Sequence, residues 1–234
     1  MTVELSIPVG EATVAGDLQL PESPYGIVVF AHGSGSSRRS PRNRMVAERL
    51  QSRRFGTLLA DLLSPEEEDA DRLTGQLRFD IGLLAERLVA MIDTLGRRWD
   101  TERLPMGLFG ASTGAAAALI AAANRPEVVR AVVSRGGRPD LAAGVLGTVT
   151  APTLLIVGGA DTHVLTLNRT AATAIRAVCR VHVVPGATHL FEEPGALDEV
   201  AEQAAEWFGT YLPAVASDDT VLDGYPVGDD DTTT

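Results

Sequence analysis

Residues 104 to 124 read LPMGLFGASTGAAAALIAAAN, and this stretch sets the fold predicted for the rest of the chain. A short apolar run, Met106 to Phe109, leads into the pentapeptide GASTG at residues 110 to 114, and an alanine-rich run that favours a helix follows directly. A strand, a tight turn and a helix are the context in which G-x-S-x-G presents a serine as a nucleophile. We therefore expect Ser112 at the N-terminus of the helix, where backbone N–H groups and the helix dipole stabilise an alkoxide or an oxyanion.

The two glycines of the pentapeptide have a steric role in this prediction. The tight turn forces Ser112 into a strained backbone conformation, and a Cβ at Gly110 or Gly114 would clash with the crossing strand and helix. The alternative is coincidence, because a chain with 23 glycines can contain this spacing by chance. The remaining sequence must therefore supply the partners that a catalytic serine needs.

Composition and charge bound the class of protein. The chain has 234 residues, of which 45% are hydrophobic, as in an ordinary globular protein. Its net charge of −11 argues against nucleic acid as the main partner. No run reaches the roughly 20 consecutive apolar residues of a membrane span, and the N-terminal segment shows strand-like alternation instead of a signal peptide. We therefore expect no binding to a membrane. The single cysteine, Cys179, is interpreted as a packing residue in a reducing compartment, so we expect a cytoplasmic protein.

The domain is predicted to cover residues 1–213, followed by an acidic disordered C-terminal tail at residues 214–234. From Ser217 onward the sequence SDDTVLDGYPVGDDDTTT contains six Asp and no Lys or Arg. Such a segment has few apolar residues to offset the entropy of ordering it.

Buried strands and helices alternate along the domain. Two segments with alternating apolar and polar residues, 3–7 and 12–20, predict an antiparallel pair at the start. Residues 64–71 are interpreted as an acidic surface loop. The remaining pattern predicts strands at residues 27–31, 57–62, 106–109, 129–134, 153–157 and 180–184, and helices after Ser112 and at residues 42–53, 79–97, 141–146, 167–178 and 196–211. This order predicts an α/β fold: a mostly parallel, doubly wound sheet of about eight strands with helices on both faces.

Glycine-rich loops follow four of these strands at the carboxyl edge of the sheet, where ligands bind in this class of fold. They carry Ser34, Ser112, Asp161 and His189. A serine hydroxyl is a poor nucleophile without a base, so His189 is predicted to take its proton. Asp161 is predicted to hold the other imidazole nitrogen and to stabilise the imidazolium. Asp140 is the alternative acid, because it follows the preceding strand.

The other histidines have different interpretations. His32 is predicted to organise its own loop through backbone hydrogen bonds, and His182, within a strand, to be structural. His163 lies two residues from Asp161 and could replace His189 only with an unusual turn. The oxyanion hole is predicted to combine the N–H of Thr113 with an N–H from the loop after residue 31, that of Ser34.

Four motifs together carry a family resemblance. HGSGSS at residues 32–37, GASTG, a strand ending in GGAD, and PGATHLFEEPG resemble the serine members of the dienelactone hydrolase-like branch of the α/β-hydrolase superfamily. The resemblance covers about residues 2–212. Dienelactone hydrolases proper use a cysteine nucleophile, whereas Ser112 stands in that place here. The resemblance implies the α/β-hydrolase fold, ester hydrolysis, and no metal or organic cofactor.

About 18 residues separate Ser134 from Thr153, where many relatives insert a helical cap, so we expect no cap domain and an open site.

The expected function is that of a serine hydrolase acting on a small-molecule carboxylic ester or lactone through an acyl-enzyme. A thioesterase or perhydrolase would use the same residues, and a non-catalytic ligand-binding protein could keep the fold.

Four arginines at positions 38, 39, 42 and 44 follow the oxyanion loop. Arg38 and Arg42 are predicted to bind an acidic group of the substrate. The alternative is that these arginines pair with the acidic residues 66–69 or lie in solvent.

Overall fold

The computed structural model describes residues 2–212 and contains an eight-stranded sheet. The strand order is β1-β2-β4-β3-β5-β6-β7-β8; the first two contacts, β1 with β2 and β2 with β4, are antiparallel and the other five are parallel. The strands are β1 (Thr2–Val9), β2 (Ala12–Gln19), β3 (Gly26–Ala31), β4 (Phe55–Ala60), β5 (Met106–Ala111), β6 (Val129–Arg135), β7 (Thr153–Gly158) and β8 (Cys179–Val184). The predicted mostly parallel sheet with an antiparallel start is confirmed.

Six α-helices accompany the sheet: α1 (Pro41–Ser52), α2 (Pro65–Thr74), α3 (Ile81–Leu95), α4 (Thr113–Asn124), α5 (Thr162–Ala174) and α6 (Ala196–Tyr211). Helices α1 and α6 pack on one face of the sheet, and α3, α4 and α5 cover the other. Strands β3, β4, β5 and β7 are buried along their whole length, because helices shield both faces. Within the described residues, no inserted domain interrupts the connections between the strands.

The acidic segment predicted as a surface loop is the helix α2, and that prediction was wrong. Ser64 caps this helix: its hydroxyl accepts the N–H of Glu67, whose carboxylate accepts the N–H of Ser64 in return. Pro65 occupies the first turn, and Gly75 ends the helix with a φ of 66°. These capping groups stabilise a helix in spite of the acidic composition that is typical of a surface loop.

Two further helix predictions need correction. Helix α5 covers Thr162–Ala174, not residues 167–178, because Asp161 caps it by accepting the N–H of Val164 at 3.4 Å. Residues 141–146 do not form one helix. Two 3₁₀ turns, Pro139–Ala142 and Leu146–Thr148, lie in that connection instead.

The carboxyl ends of β3, β5, β7 and β8 meet at one edge of the sheet, as predicted from their sequence order. The last described helix ends at Tyr211, and the predicted tail at residues 214–234 lies outside the described residues. Among residues 2–212, no helix combines the length and apolar character needed to cross a membrane.

Candidate active site

Ser112 lies between β5 and α4 with φ 51° and ψ −120°, a backbone conformation that non-glycine residues rarely adopt. Backbone hydrogen bonds hold it there: its N–H donates to the carbonyl of Arg135 at 3.1 Å, and its own carbonyl accepts the N–H of Arg138 at 3.1 Å. A Cβ at Gly110 would collide with the backbone of Ala115 in α4. The tight strand-turn-helix passage predicted from the pentapeptide is therefore present, and it exposes the Ser112 hydroxyl at the edge of the sheet.

His189 links Ser112 to Asp161. Its Nε2 lies 3.3 Å from the Ser112 Oγ, and its Nδ1 lies 2.7 Å from the Asp161 Oδ2. The 2.7 Å contact favours the tautomer that carries a proton on Nδ1, which leaves Nε2 free to accept the serine proton. The structure thus brings the three residues predicted as nucleophile, base and acid into one hydrogen-bonded chain.

Two loops must cross closely for this chain to form. A Cβ on Gly158, at the end of β7, would collide with the carbonyl of Ala187 in the loop after β8. The N–H of Ala160 donates to that same carbonyl at 2.9 Å. Phe191 is buried and anchors the far side of the histidine loop in the core. Because the glycine allows the loops to touch, Asp161 from one and His189 from the other come within hydrogen-bond distance.

Asp140, the alternative acid, binds Arg138 and no histidine. Both of its carboxylate oxygens accept hydrogen bonds from Arg138, at 2.8 and 2.7 Å. The Arg138 hydrogen bond lowers the pKa of Asp140 from its usual value. His163 is exposed at the start of α5, and His182 Nε2 lies 2.7 Å from Glu199 Oε1, between β8 and α6. Neither histidine joins Ser112.

His32 organises the loop after β3, as predicted. Its Nδ1 lies 3.0 Å from the carbonyl of Gly33, and its Nε2 accepts the N–H of Leu62 at 3.1 Å. Burial lowers the pKa of His32 from 6.5, outweighing the opposing effect of the Gly33 carbonyl. The neutral ring thus ties the oxyanion loop to the loop after β4.

The Ser34 N–H, predicted as an oxyanion donor, already has an acceptor in the fold. The N–H of Ser34 donates to Thr113 Oγ1 at 2.9 Å, so it is not free for a substrate oxygen. Among residues 2–212, the N–H groups of Gly33 and Thr113 have no acceptor. Gly33 also faces the nucleophile, since a Cβ there would lie 3.1 Å from the Ser112 Cβ. Sequence reasoning did not anticipate the hydrogen bond of the Ser34 N–H, because the Thr113 side chain that accepts it cannot be inferred from the motif.

The arginines after this loop have unequal environments. Arg38 pairs with Asp61 at 2.6 Å, Glu4 at 3.0 Å and Asp17 at 3.4 Å, so the structure uses its charge to hold the loop against the antiparallel strands. None of these three carboxylates lies among residues 66–69, and a role of Arg38 in binding substrate stays a prediction. Within residues 2–212, Arg42 has one weak partner, Glu192, at 3.4 Å.

A cleft of about 500 Å³ adjoins the site between the loop after β3 and α2. Its lining includes Gly33, Ser34, Leu62, Leu63 and Leu84. Ser112 borders this cleft through Gly33 without lining it.

Neither Cys179 nor a cluster of carboxylates forms a second reactive or metal-binding site among residues 2–212. Burial raises the pKa of Cys179 to about 11, so its thiol stays protonated, in line with a packing role. Within the described part of the chain, no cluster of three or more His, Cys, Asp or Glu side chains is placed to hold a metal ion.

Comparisons with known proteins agree with this architecture. The model of the dienelactone hydrolase family matches residues 14–212. The crystal structure of a dienelactone hydrolase from Anabaena variabilis is 57% identical with a TM-score of 0.89, and the match covers 91% of this chain and 98% of that one. Est1E from Butyrivibrio proteoclasticus shares the fold at 14% identity, with a TM-score of 0.75 over 88% of this chain and 98% of its own.

Curated relatives from Mycobacterium tuberculosis carry the provisional name phosphoribosyl transferase. They are 59% identical over 209 residues, which is 89% of this chain and 46% of theirs. The chain therefore spans about half the length of these relatives.

Proposed function

This chain belongs to the dienelactone hydrolase family of α/β hydrolases, and we propose that it is a serine hydrolase that cleaves a small carboxylic ester or lactone through an acyl-enzyme. Family membership supports a hydrolase. The observation that supports the finer assignment is the hydrogen-bonded chain from Ser112 through His189 to Asp161. The transferase name of the M. tuberculosis relatives belongs to proteins about twice as long, and we do not transfer it to this chain. The cytoplasmic location stays a prediction.

In the proposed reaction, Ser112 Oγ attacks the ester carbonyl while His189 Nε2 takes the hydroxyl proton. Asp161 keeps the imidazole oriented and stabilises its positive charge. The protonated His189 then gives its proton to the leaving alcohol. A water molecule, deprotonated by His189, attacks the acyl-enzyme in the same way, and Ser112 regains its proton as the acid is released. A lactone would follow the same steps, with its alcohol remaining part of the product.

We assign the oxyanion hole to the N–H groups of Gly33 and Thr113, in place of the Ser34 N–H. Both N–H groups lie beside Ser112, and neither has an acceptor within residues 2–212. Thr113 is the first residue of α4, so the helix dipole adds to the stabilisation of the oxyanion. One such donor is typically worth about 3 kcal/mol in the transition state. The Ser34–Thr113 hydrogen bond would then position the loop that carries the Gly33 donor.

Ser112→Ala tests the proposal directly. We expect hydrolysis of p-nitrophenyl acetate to fall by up to about 10⁶, the size of the loss in turnover when subtilisin loses its serine, and fluorophosphonate labelling to disappear. Ser52→Ala is the matched control, because Ser52 lies at the far end of α1 and its hydroxyl bonds only the Arg49 carbonyl among the described residues. Persistent labelling of the Ser112→Ala protein at another serine would refute the assignment.

A further inference from the structure

Asn168 is a fully buried amide in the middle of helix α5. Its residue is 0% exposed, and asparagine is a poorer helix former than leucine, which is common at buried positions. Burying a polar side chain costs free energy unless hydrogen bonds compensate for it. The Nδ2 group of Asn168 donates to the carbonyl of Val164 at 2.8 Å, one turn earlier in the helix, and to the carbonyl of Gly137 at 2.9 Å. The contact with Gly137 links α5 to the loop after β6.

The loop after β6 packs closely against the strand-turn-helix passage around Ser112. Gly137 is buried, and a Cβ there would collide with the Ser134 hydroxyl and with the side chain of Ala115 in α4. The backbone of the loop itself therefore forms the contact. The N–H of Arg138, the next residue, donates to the carbonyl of Ser112 at 3.1 Å. The loop thus reaches the backbone of the proposed nucleophile through one peptide group.

Two peptide groups connect Asn168 to an oxyanion donor. The carbonyl of Gly137 and the N–H of Arg138 belong to one planar trans peptide, so a side chain that holds the carbonyl also orients the N–H. The carbonyl of Ser112 and the N–H of Thr113 belong to another. A continuous chain of hydrogen bonds, here called the peptide relay, therefore runs from Asn168 Nδ2 to the Thr113 N–H, which has no acceptor among residues 2–212. Hydrogen bonds in such a chain polarise one another.

We propose that Asn168 is a positioning residue for the oxyanion hole, because its amide fixes and polarises the Thr113 N–H through the peptide relay. This inference rests on the proposed ester hydrolysis and deepens the assignment of Thr113 as a donor. Thr113 needs such support because it follows Ser112, whose backbone is strained at φ 51°. A donor held in place before the substrate binds stabilises the transition state without reorganisation. The hydrogen bonds of Asn168 within residues 2–212 reach backbone carbonyls alone, so its effect belongs in kcat and not in KM.

Asn168→Leu tests this role, because leucine keeps the approximate volume of the side chain and removes its donor. We expect kcat for p-nitrophenyl acetate to fall by about tenfold or more, part of the loss that follows removal of a whole oxyanion donor, and KM to change by less than about twofold. Titration of active sites with a fluorophosphonate corrects for any inactive fraction. Thr153→Val is the matched control, since it removes a buried hydrogen bond to the Ala151 carbonyl at the opposite edge of the sheet. An unchanged kcat in Asn168→Leu, or an equal loss in both variants, would overturn the proposal.

A pH profile separates the role through Thr113 from a role through the proposed catalytic acid. Helix α5 also carries Asp161 at its N-terminus, so a displaced helix would disturb the contact between Asp161 and His189. If Asn168 acts through Thr113, the midpoint of the pH profile of kcat in Asn168→Leu stays at the wild-type value while the plateau falls. A shifted midpoint would show that Asn168 acts through Asp161, and the proposal would be wrong.

An NMR measurement without turnover keeps this inference separate from the proposed function. The wild type should show a scalar coupling between the Arg138 amide nitrogen and the Ser112 carbonyl carbon, because such couplings pass through a hydrogen bond. In Asn168→Leu the Thr113 amide proton should move to lower chemical shift, because the relay that polarises it is broken. A missing coupling in the wild type, or an unmoved proton in the variant, refutes the relay even where esters are cleaved. If the wild type cleaves no ester yet both signals behave as expected, the proposed function fails and the relay stands.

The melting temperature provides a check on folding. Asn168→Leu leaves the Gly137 carbonyl buried without its side-chain donor, so we expect a lower melting temperature with a single cooperative transition. Asn168→Ala, which favours a helix and also lacks the donor, takes the place of Asn168→Leu in every measurement if the leucine variant does not fold. The coupling in the wild type requires no variant, and its absence alone refutes the relay.

Discussion

At the scale of single residues, the site is defined by which polar groups remain available. Asp161 and Asp140 each follow a buried strand, and each lies at the carboxyl edge of the sheet. Arg138 binds both oxygens of Asp140, whereas Asp161 presents Oδ2 to His189 and uses Oδ1 to cap α5. The same distinction separates Gly33 from Ser34, because the Ser34 N–H already has an acceptor. Free hydrogen-bonding capacity, not position along the chain, therefore identifies the candidate catalytic groups.

The two aspartates give a matched pair of variants. Asp161→Asn should lower kcat by about 10⁴, as the same change does in a trypsin-type enzyme, because the amide favours the wrong imidazole tautomer. Asp140→Asn should change kcat by less than tenfold, since it disturbs only the pair with Arg138. Ester hydrolysis by the two purified variants at equal concentration measures the difference. If Asp140→Asn proved the more damaging change, the acid would have to be reassigned.

At the scale of elements, the loop after β3 is held from three directions. His32 ties it to the loop after β4, Thr113 binds it from α4, and Arg38 binds it to β1, β2 and Asp61. These contacts fix a glycine-serine segment whose sequence permits many conformations. In the proposed oxyanion hole, such contacts would keep the N–H donors in place before the substrate arrives, as electrostatic stabilisation of an oxyanion requires.

The buried ring of His32 should make stability depend on pH. Its pKa in the folded state lies below the value of 6.5 in the unfolded chain, so the neutral ring stabilises the fold fully above about pH 6.5. This contribution is lost as the pH falls from 6.5 through the lowered pKa. We expect the melting temperature of the wild type to fall more steeply between pH 7 and pH 5 than that of His32→Gln, which has no titrating ring. His163→Gln, at an exposed position, should keep the wild-type slope. Parallel curves for wild type and His32→Gln would contradict the assignment.

At the scale of the whole molecule, the topology gathers distant segments at one edge of the sheet. Ser34, Ser112, Asp161 and His189 are spread over more than 150 residues, yet parallel strands carry their loops to the same edge. The chain connects β6 to β7 through two short 3₁₀ turns, so no inserted helical domain covers this edge within residues 2–212. The site and the adjoining cleft are therefore open to solvent in the described part of the chain.

An open site should favour short acyl chains. Each methylene buried by a protein gains about 0.8 kcal/mol, but a long chain that extends from an uncovered site stays in water and gains little. We expect kcat/KM for p-nitrophenyl butyrate to exceed that for the palmitate by about tenfold or more. Monomeric substrate below its solubility limit is used for the comparison. A preference for the palmitate, or a sharp rise in activity above the solubility limit, would contradict the open-site interpretation.

The succession of strands along the chain and the site loops could be predicted because they depend on local patterns. Apolar runs predict strands buried on both faces, and the glycine pentapeptide predicts the turn at Ser112, since these signals arise from neighbouring residues. The positions of Asp161 and His189 follow from the rule that loops at the carboxyl ends of parallel strands meet. Helix α2 has local capping signals of the same kind, so the sequence also contained the information that distinguishes it from a loop.

Other features depend on contacts between segments far apart in sequence. Thr113 binds the N–H of Ser34 across 79 residues, and Arg38 reaches Glu4 across 34 and Asp61 across 23. Arg135 looks in sequence like the polar end of a strand, and only the fold shows that its Nη1 is buried without an acceptor among residues 2–212. Local periodicity specifies the elements and their order. Three-dimensional packing determines which polar groups are neutralised and which stay free, because hydrogen bonds and ion pairs form with whatever partner the fold brings within about 3 Å.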